Sequence, residues 1–194
     1  MKQLLLFLFT FLTSQHFAYS AAIPAGMTVS LQPFAGYEKV VKYYPTIHYK
    51  DRLIVGARFI VGYQSIAGEG EVSRGEDTEY FYDMPLLLDP TVKIKDTTER
   101  LKLGLRKVYS LGTILSAHLR GGGQASRTKH DYTNKGVTVT TKDPIKIAPY
   151  LGAGIKASLL GKISVVADGV VIVNDVHDLR RTEYQATGGI SLDL

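Results

Sequence analysis

The sequence predicts an all-β fold, an eight-stranded antiparallel up-and-down transmembrane β-barrel, and three observations carry that reading. From Thr28 onward apolar and polar residues alternate with period two, in segments rich in Val, Ile, Tyr and Leu and bounded by Gly, Pro, Asp, Asn and Ser. That periodicity belongs to strands rather than helices. The connections alternate between long polar segments, at 39–51, 83–98, 128–144 and 175–180, and tight turns at 64–67, 110–112 and 159–162. Consecutive hairpins of this kind make a meander that closes into a barrel with both termini at the tight-turn end. Finally, one face of the strands is apolar while the other mixes glycine and alanine with long charged side chains.

The strands fall at 28–38, 52–63, 68–82, 99–109, 113–127, 145–158, 163–174 and 181–194. In the sixth, Ile145, Ile147, Pro149, Leu151, Ala153, Ile155 and Ala157 oppose Lys146, Ala148, Tyr150, Gly152, Gly154 and Lys156. The eighth sets Tyr184, Ala186, Gly188, Ile190, Leu192 and Leu194 against Gln185, Thr187, Gly189, Ser191 and Asp193. Alternation alone does not say which face is inside. Glycine weakens a strand and is a poor choice for a water-facing surface. Beside Arg, Lys and Tyr it relieves crowding in the narrow interior of an eight-stranded barrel. The apolar face then meets lipid. The alternative is a soluble periplasmic β-barrel whose apolar face encloses a lipophilic ligand, although the chain has no Trp for such a core.

With 194 residues, 45% of them hydrophobic and 21% charged, the chain has room for one folded domain. Residues 1–20 read as a signal peptide: Lys2, an apolar stretch 4–12 broken only by Thr10, and small residues at Ala18, Ser20 and Ala21, with cleavage after Ser20. The apolar stretch is far short of the ~20 residues a spanning helix needs. The barrel domain is then 21–194. The absence of cysteine excludes disulfide scaffolds, Cys-ligated zinc and thiol nucleophiles. The net charge of +5 is mild and dispersed, which argues against nucleic acid as a partner.

With a leader, eight alternating strands and the string Ala148-Pro149-Tyr150-Leu151-Gly152-Ala153-Gly154-Ile155 before a tight turn, the mature chain resembles small OmpA-type outer-membrane β-barrels of Gram-negative bacteria over nearly its whole length. The most specific piece is the C-terminus, where Thr187, Gly189, Leu192 and Leu194 match the spacing of the family's assembly signal, with Leu at the last position where Phe is commoner. The resemblance implies residence in the outer membrane, contact with its lipid and lipopolysaccharide, and recognition by the barrel assembly machinery. It implies no activity, because one fold hosts anchors, adhesins and lipid-modifying enzymes.

Projecting the alternation inward places Arg58, Gln64, Glu69, Glu71, Lys102, Arg106, His118, Arg120, Gln124 and Lys156 in the lumen. Charges in so small a barrel must pair. Glu69 and Glu71 are therefore expected to meet Arg58, Lys102, Arg106 or Arg120 in a polar plug, with a gated pore as the alternative. An enzyme would have to use Ser116 and His118. Two apart on one strand face, they stand nearly 7 Å from each other, too far for a nucleophile and its base. No catalytic site, cofactor or metal site is expected, and the barrel reads as a monomer. His48, His130 and His177 fall in expected loops, among basic and aromatic residues that include Lys39, Lys42, Tyr43, Tyr44, Tyr49, Lys50, Arg127, Lys129, Tyr132, Lys135 and Lys142. Such residues suit lipopolysaccharide phosphates or an acidic partner, or form solvated tips and an interfacial girdle. Leu86, Leu87 and Leu88 form an unusually apolar loop, and Gly121, Gly122 and Gly123 suggest a bend or bulge within a strand.

Overall fold

The computed structural model describes residues 26–42, 48–63, 65–81, 92–175 and 177–194. The leader, Gln64, Tyr43, Tyr44 and the three consecutive leucines lie outside the described residues. The elements are β1 (Met27–Lys42), β2 (His48–Tyr63), β3 (Ile66–Phe81), β4 (Val92–Ser110), β5 (Leu115–Asn134), β6 (Val137–Lys142), β7 (Lys146–Leu160), β8 (Ile163–Val173) and β9 (Thr182–Asp193). All pairings are antiparallel. The ring runs β1-β2-β3-β4-β5-β7-β8-β9 and closes where β9 returns to β1, from Ser30 opposite Asp193 to Lys39 opposite Tyr184. Closure leaves the eight staves of the barrel no free edge. The short β6 pairs with the far end of β5, from Lys129 opposite Lys142 to Asn134 opposite Val137.

The eight-stranded up-and-down barrel is the predicted fold, but four strands are longer than their patterns suggest. β1 runs to Lys42, β2 begins at His48, β4 begins at Val92 and β5 reaches Asn134. Lys39, Lys42, His48, Tyr49, Lys50, Lys129, His130, Tyr132 and Lys142 are therefore strand residues, not loop residues. Polar side chains on both faces erase the period-two signal there while the ladder continues, helped by cross-strand threonine pairs such as Thr98 with Thr128 at 3.0 Å and Thr133 with Thr138 at 2.9 Å. Lys135 and Gly136 turn β5 into β6 with φ of 46° and 82°, the signature of a two-residue type I′ hairpin. No bulge occurs at Gly121 to Gly123, where the register with β4 and β7 is unbroken. The irregularity falls instead between Ser158 and Leu160.

Burial is inverted relative to a soluble barrel. Leu103, Leu105, Ile147 and Leu151 project outward and are 61–81% exposed, whereas Arg58, Lys102 and Glu71 point inward and are 1–2% exposed. On β2 the outward residues Leu53, Val55, Ala57, Phe59, Val61 and Tyr63 span about 25 Å at a tilt of ~40°, the height of the apolar band of an outer-membrane barrel. Exposed Tyr37, Tyr49 and Tyr184 lie toward the long-connection end of this band, and Tyr63 and Tyr109 lie at the tight-turn end. The interior is less uniformly polar than the alternation suggests. Phe34, Ile54, Ile60, Val166, Val170 and Ile172 are buried there, and Ala148, Tyr150, Val170 and Ile172 form an apolar cluster against one wall.

Candidate functional site: a charged lumen beneath an open vestibule

Glu69 and Glu71 sit two apart on β3 and so share the inward face. Glu71 accepts hydrogen bonds from Arg58 Nε at 2.9 Å, Lys102 Nζ at 2.7 Å and Arg120 Nη1 at 2.8 Å. Glu69 accepts from Arg106 Nε and Arg120 Nη1, both at 3.0 Å, and from the Tyr150 hydroxyl at 2.9 Å. On the opposite wall, Asp168 of β8 accepts from Arg58 Nη1 at 2.9 Å and lies 2.6 Å from His118 Nε2. Several of these contacts cross the barrel between strands that are not neighbours in the ring: β2 to β8 through Arg58 and Asp168, β3 to β7 through Glu69 and Tyr150, and β4 to β9 through Lys102 and Gln185.

Aromatic faces support the cations. The Arg58 guanidinium lies 5.0 Å from the Phe34 ring centroid, and Lys102 and Arg120 lie 5.7 and 5.8 Å from that of Tyr150. Glycine supplies the room. A Cβ on Gly154 would come within 2.7 Å of both Asp168 Oδ1 and His118 Cε1, so only glycine lets that pair form.

Toward the long-connection end a second layer binds β1, β2, β3, β4 and β9. Glu38 takes hydrogen bonds from Arg52, from Arg100 at 2.9 Å and from Gln185 at 2.8 Å, while Arg52 also reaches Asp77 at 3.1 Å and Arg100 reaches Glu183 at 3.2 Å. Above it the strands open into a vestibule of about 780 Å³, whose lining includes Val40, Lys42, Ile94, His130, Tyr132 and Lys146. Lys42 joins Asp77 at 2.9 Å and Asp96 at that rim. His130 stands between Asp96 at 2.6 Å and Asp143 at 3.3 Å, and Lys146 reaches Asp143 at 3.1 Å. Partial burial works against the charged form of Asp143, but the hydrogen bond and charge of Lys146, joined by His130, outweigh it and hold the carboxyl below its ordinary range.

The structure thus brings Arg58, Glu69, Glu71, Lys102, Arg106, His118 and Arg120 into one cluster. Lys156 stands apart, bound to both Asp193 oxygens at 2.8 Å near the tight-turn end. Ser116 and His118 do not meet: the serine hydroxyl donates to the Lys156 carbonyl at 3.5 Å while the histidine faces Asp168. Of the positions expected to form an assembly signal, Thr187 faces the lumen and Leu194 is exposed at the end of the chain. Sequence reasoning missed Asp168, Glu38, Arg52, Asp77 and Arg100. The signal for Asp168 was present, since it is the single charge in the apolar run of β8 and has to find a cation once that strand is buried on one side.

The architecture now on the page is shared with solved structures. Neisserial surface protein A (NspA) superposes with a TM-score of 0.59 at 8% identity, over 88% of this chain and 98% of that one. Ail, the attachment invasion locus protein of Yersinia pestis, solved in complex with the heparin analogue sucrose octasulfate, superposes with a TM-score of 0.56 at 11% identity, over 87% and 97%. The fold is that of the small OmpA-type outer-membrane barrels. No protein-family model and no curated protein sequence matches the chain. Among the described residues, no group of three or more His, Asp or Glu side chains is arranged to hold a metal ion.

Proposed function

We propose that the protein is exported by its leader, inserted as a monomer into the outer membrane through the C-terminal signal Thr187, Gly189, Leu192 and Leu194, and serves there as a structural and surface-interacting barrel with a plugged lumen rather than as an enzyme or an open pore. The observation that carries this reading is the inversion of burial: a belt of exposed Leu, Ile, Val and Phe surrounds charges that are almost wholly hidden. A soluble barrel of this design would expose its hydrophobics to water and turn a largely charged interior toward a lipophilic guest. Four cations, Arg58, Lys102, Arg106 and Arg120, are cross-tied to three carboxylates, Glu69, Glu71 and Asp168, and bridge the lumen wall to wall. Eight strands leave an interior that side chains can fill.

On this reading the long-connection end faces outward, and the extensions of β3, β4 and β5 with β6 are the surface offered to partners. The fold neighbour solved with a sulfated sugar analogue is compatible with that role. Planar-bilayer recording of the refolded barrel tests the plug. The wild type is expected to show no steady channel, while Glu71→Ala, which takes from Lys102 its carboxylate and from Arg58 and Arg120 one of theirs, is expected to produce flickering conductance. A steady ohmic channel in the wild type would overturn the plugged reading, and recovery of the protein from the soluble periplasmic fraction would overturn the membrane assignment.

A further inference from the structure

The outer surface of the barrel is not uniform around its circumference. On the outward face of β3, β4 and β5 the register sets Val72, Leu101 and Ala125 side by side, and the next outward row is Arg74, Glu99 and Arg127. Beyond it Lys129 stands opposite Lys142, and Lys95 and Lys93 follow on β4. Six cations gather here against three acids, Glu76, Glu99 and Asp131. Arg74 and Lys95 lean on Glu76, and Lys129 lies 2.9 Å from Asp131. Among the described residues Arg127 and Lys142 have no ion-pair partner. Outward positions toward the same end of β7, β8 and β9 are Ile147, Val171 and Tyr184, so the excess charge belongs to one half of the barrel.

Below the cations the same three strands carry a relief pattern. Leu101, Leu103 and Leu105 form an exposed ridge on β4. The register flanks it with glycines: Gly70 and Gly123 on either side of Leu103, and Gly68 and Gly121 on either side of Leu105. Three of these are not required by packing, for a Cβ on Gly123 would meet nothing within 4 Å, and at Gly68 and Gly70 it would make ordinary contacts at 3.7 and 3.6 Å. Glycine in a strand costs backbone entropy and side-chain packing. Here it leaves a furrow on each side of the leucine ridge, one leading up to Arg74 and the other to Arg127.

We propose that the two furrows and the cations above them form a binding site for an anionic phosphorylated lipid of the surrounding leaflet. The acyl chains lie along the leucine ridge and the phosphate meets Arg74 and Arg127. Those two residues stand two strands apart, about 10 Å, and flank Glu99. The apolar band fixes the height of the headgroup, and long basic side chains at its edge place their charges at that level. Lys129 and Lys142 extend the positive surface where a bulkier phosphorylated headgroup would reach. This site rests on the reading of the chain as a membrane barrel, and the test separates the two claims.

The chain has no Trp, so a single introduced indole reports locally. Leu101→Trp on the ridge and Val171→Trp on β8 are each refolded into phosphatidylcholine vesicles doped with brominated phosphatidate or with brominated phosphatidylcholine. Quenching of the Leu101→Trp indole is expected to be about threefold stronger per molecule of phosphatidate than of phosphatidylcholine at low salt, with no preference at Val171→Trp. Arg74→Gln combined with Arg127→Gln is expected to abolish that preference, and Gly123→Val to reduce it by obstructing one furrow. Equal quenching by the two lipids at Leu101→Trp, or a preference that survives the double arginine substitution, would overturn the site. Every variant is also run boiled and unboiled in SDS. Retention of a mobility shift keeps the barrel reading intact when the lipid preference fails, and its absence from all variants would overturn both.

Discussion

Glu71 is the residue on which the lumen turns. It is 2% exposed and holds Arg58, Lys102 and Arg120 at 2.7–2.9 Å. Removing one partner from a buried ion cluster leaves charge uncompensated, which costs about 3–5 kcal/mol. Glu71→Ala is therefore expected to lower the unfolding free energy from urea titration in lipid by that amount, whereas Glu76→Ala, on the exposed outer face, is expected to cost at most about 1 kcal/mol. At the rim, Asp143 has a depressed carboxyl pKa, so its stabilising contribution is present above the ordinary carboxylate value of about 4 and disappears as pH falls through the lower folded value. Asp143 also donates its backbone N–H to the Thr128 carbonyl at 2.8 Å. NMR resonances around Thr128 and Asp143 should show a titration step below about pH 4, and Asp143→Asn should remove that step. Glu69, Glu71, Arg58 and Lys102 were legible from strand parity alone. Asp168 was not, because its strand has valine or isoleucine on both faces and only its being the lone charge there marks it, and Phe34 entered the lumen as a support for the Arg58 guanidinium that alternation does not single out.

Each strand divides into two regimes. Within the lipid band, outward Leu, Ile and Val alternate with inward polar or small residues, and there the face assignment could be read directly, as in β7 and β9. Beyond the band both faces are polar, so the continuation of β1, β2, β4 and β5 and the existence of β6 were hidden. The residues that build those extensions, Thr97, Thr98, Thr128, Thr133 and Thr138, resemble loop composition although they form a regular ladder. The lipid-facing assignment makes a depth-dependent expectation. Leu103→Lys, on the β4 ridge, is expected to destabilise the folded barrel by about 2–4 kcal/mol in reversible urea titrations with vesicles. Thr138→Lys, on the exposed β6 beyond the lipid band, is expected to cost well under half of that. Equal costs at the two positions would contradict the placement of the lipid band.

For the whole molecule, the sequence announces the number of staves, the up-and-down order and the direction of burial, because each follows from a pattern repeated in every hairpin. What it leaves open are the contacts across the lumen, since a chord from β2 to β8 or from β4 to β9 depends on closure and not on any local pattern. Those chords should also make the barrel resist denaturation by detergent as a unit. The most direct test of the account is the electrophoretic mobility in SDS of protein taken from purified outer membranes, boiled against unboiled. A closed transmembrane barrel tied across its lumen is expected to migrate at a different position until it is boiled. Identical mobility before and after boiling, with the protein recovered from the soluble periplasm, would mean that the apolar faces point inward and would contradict the account.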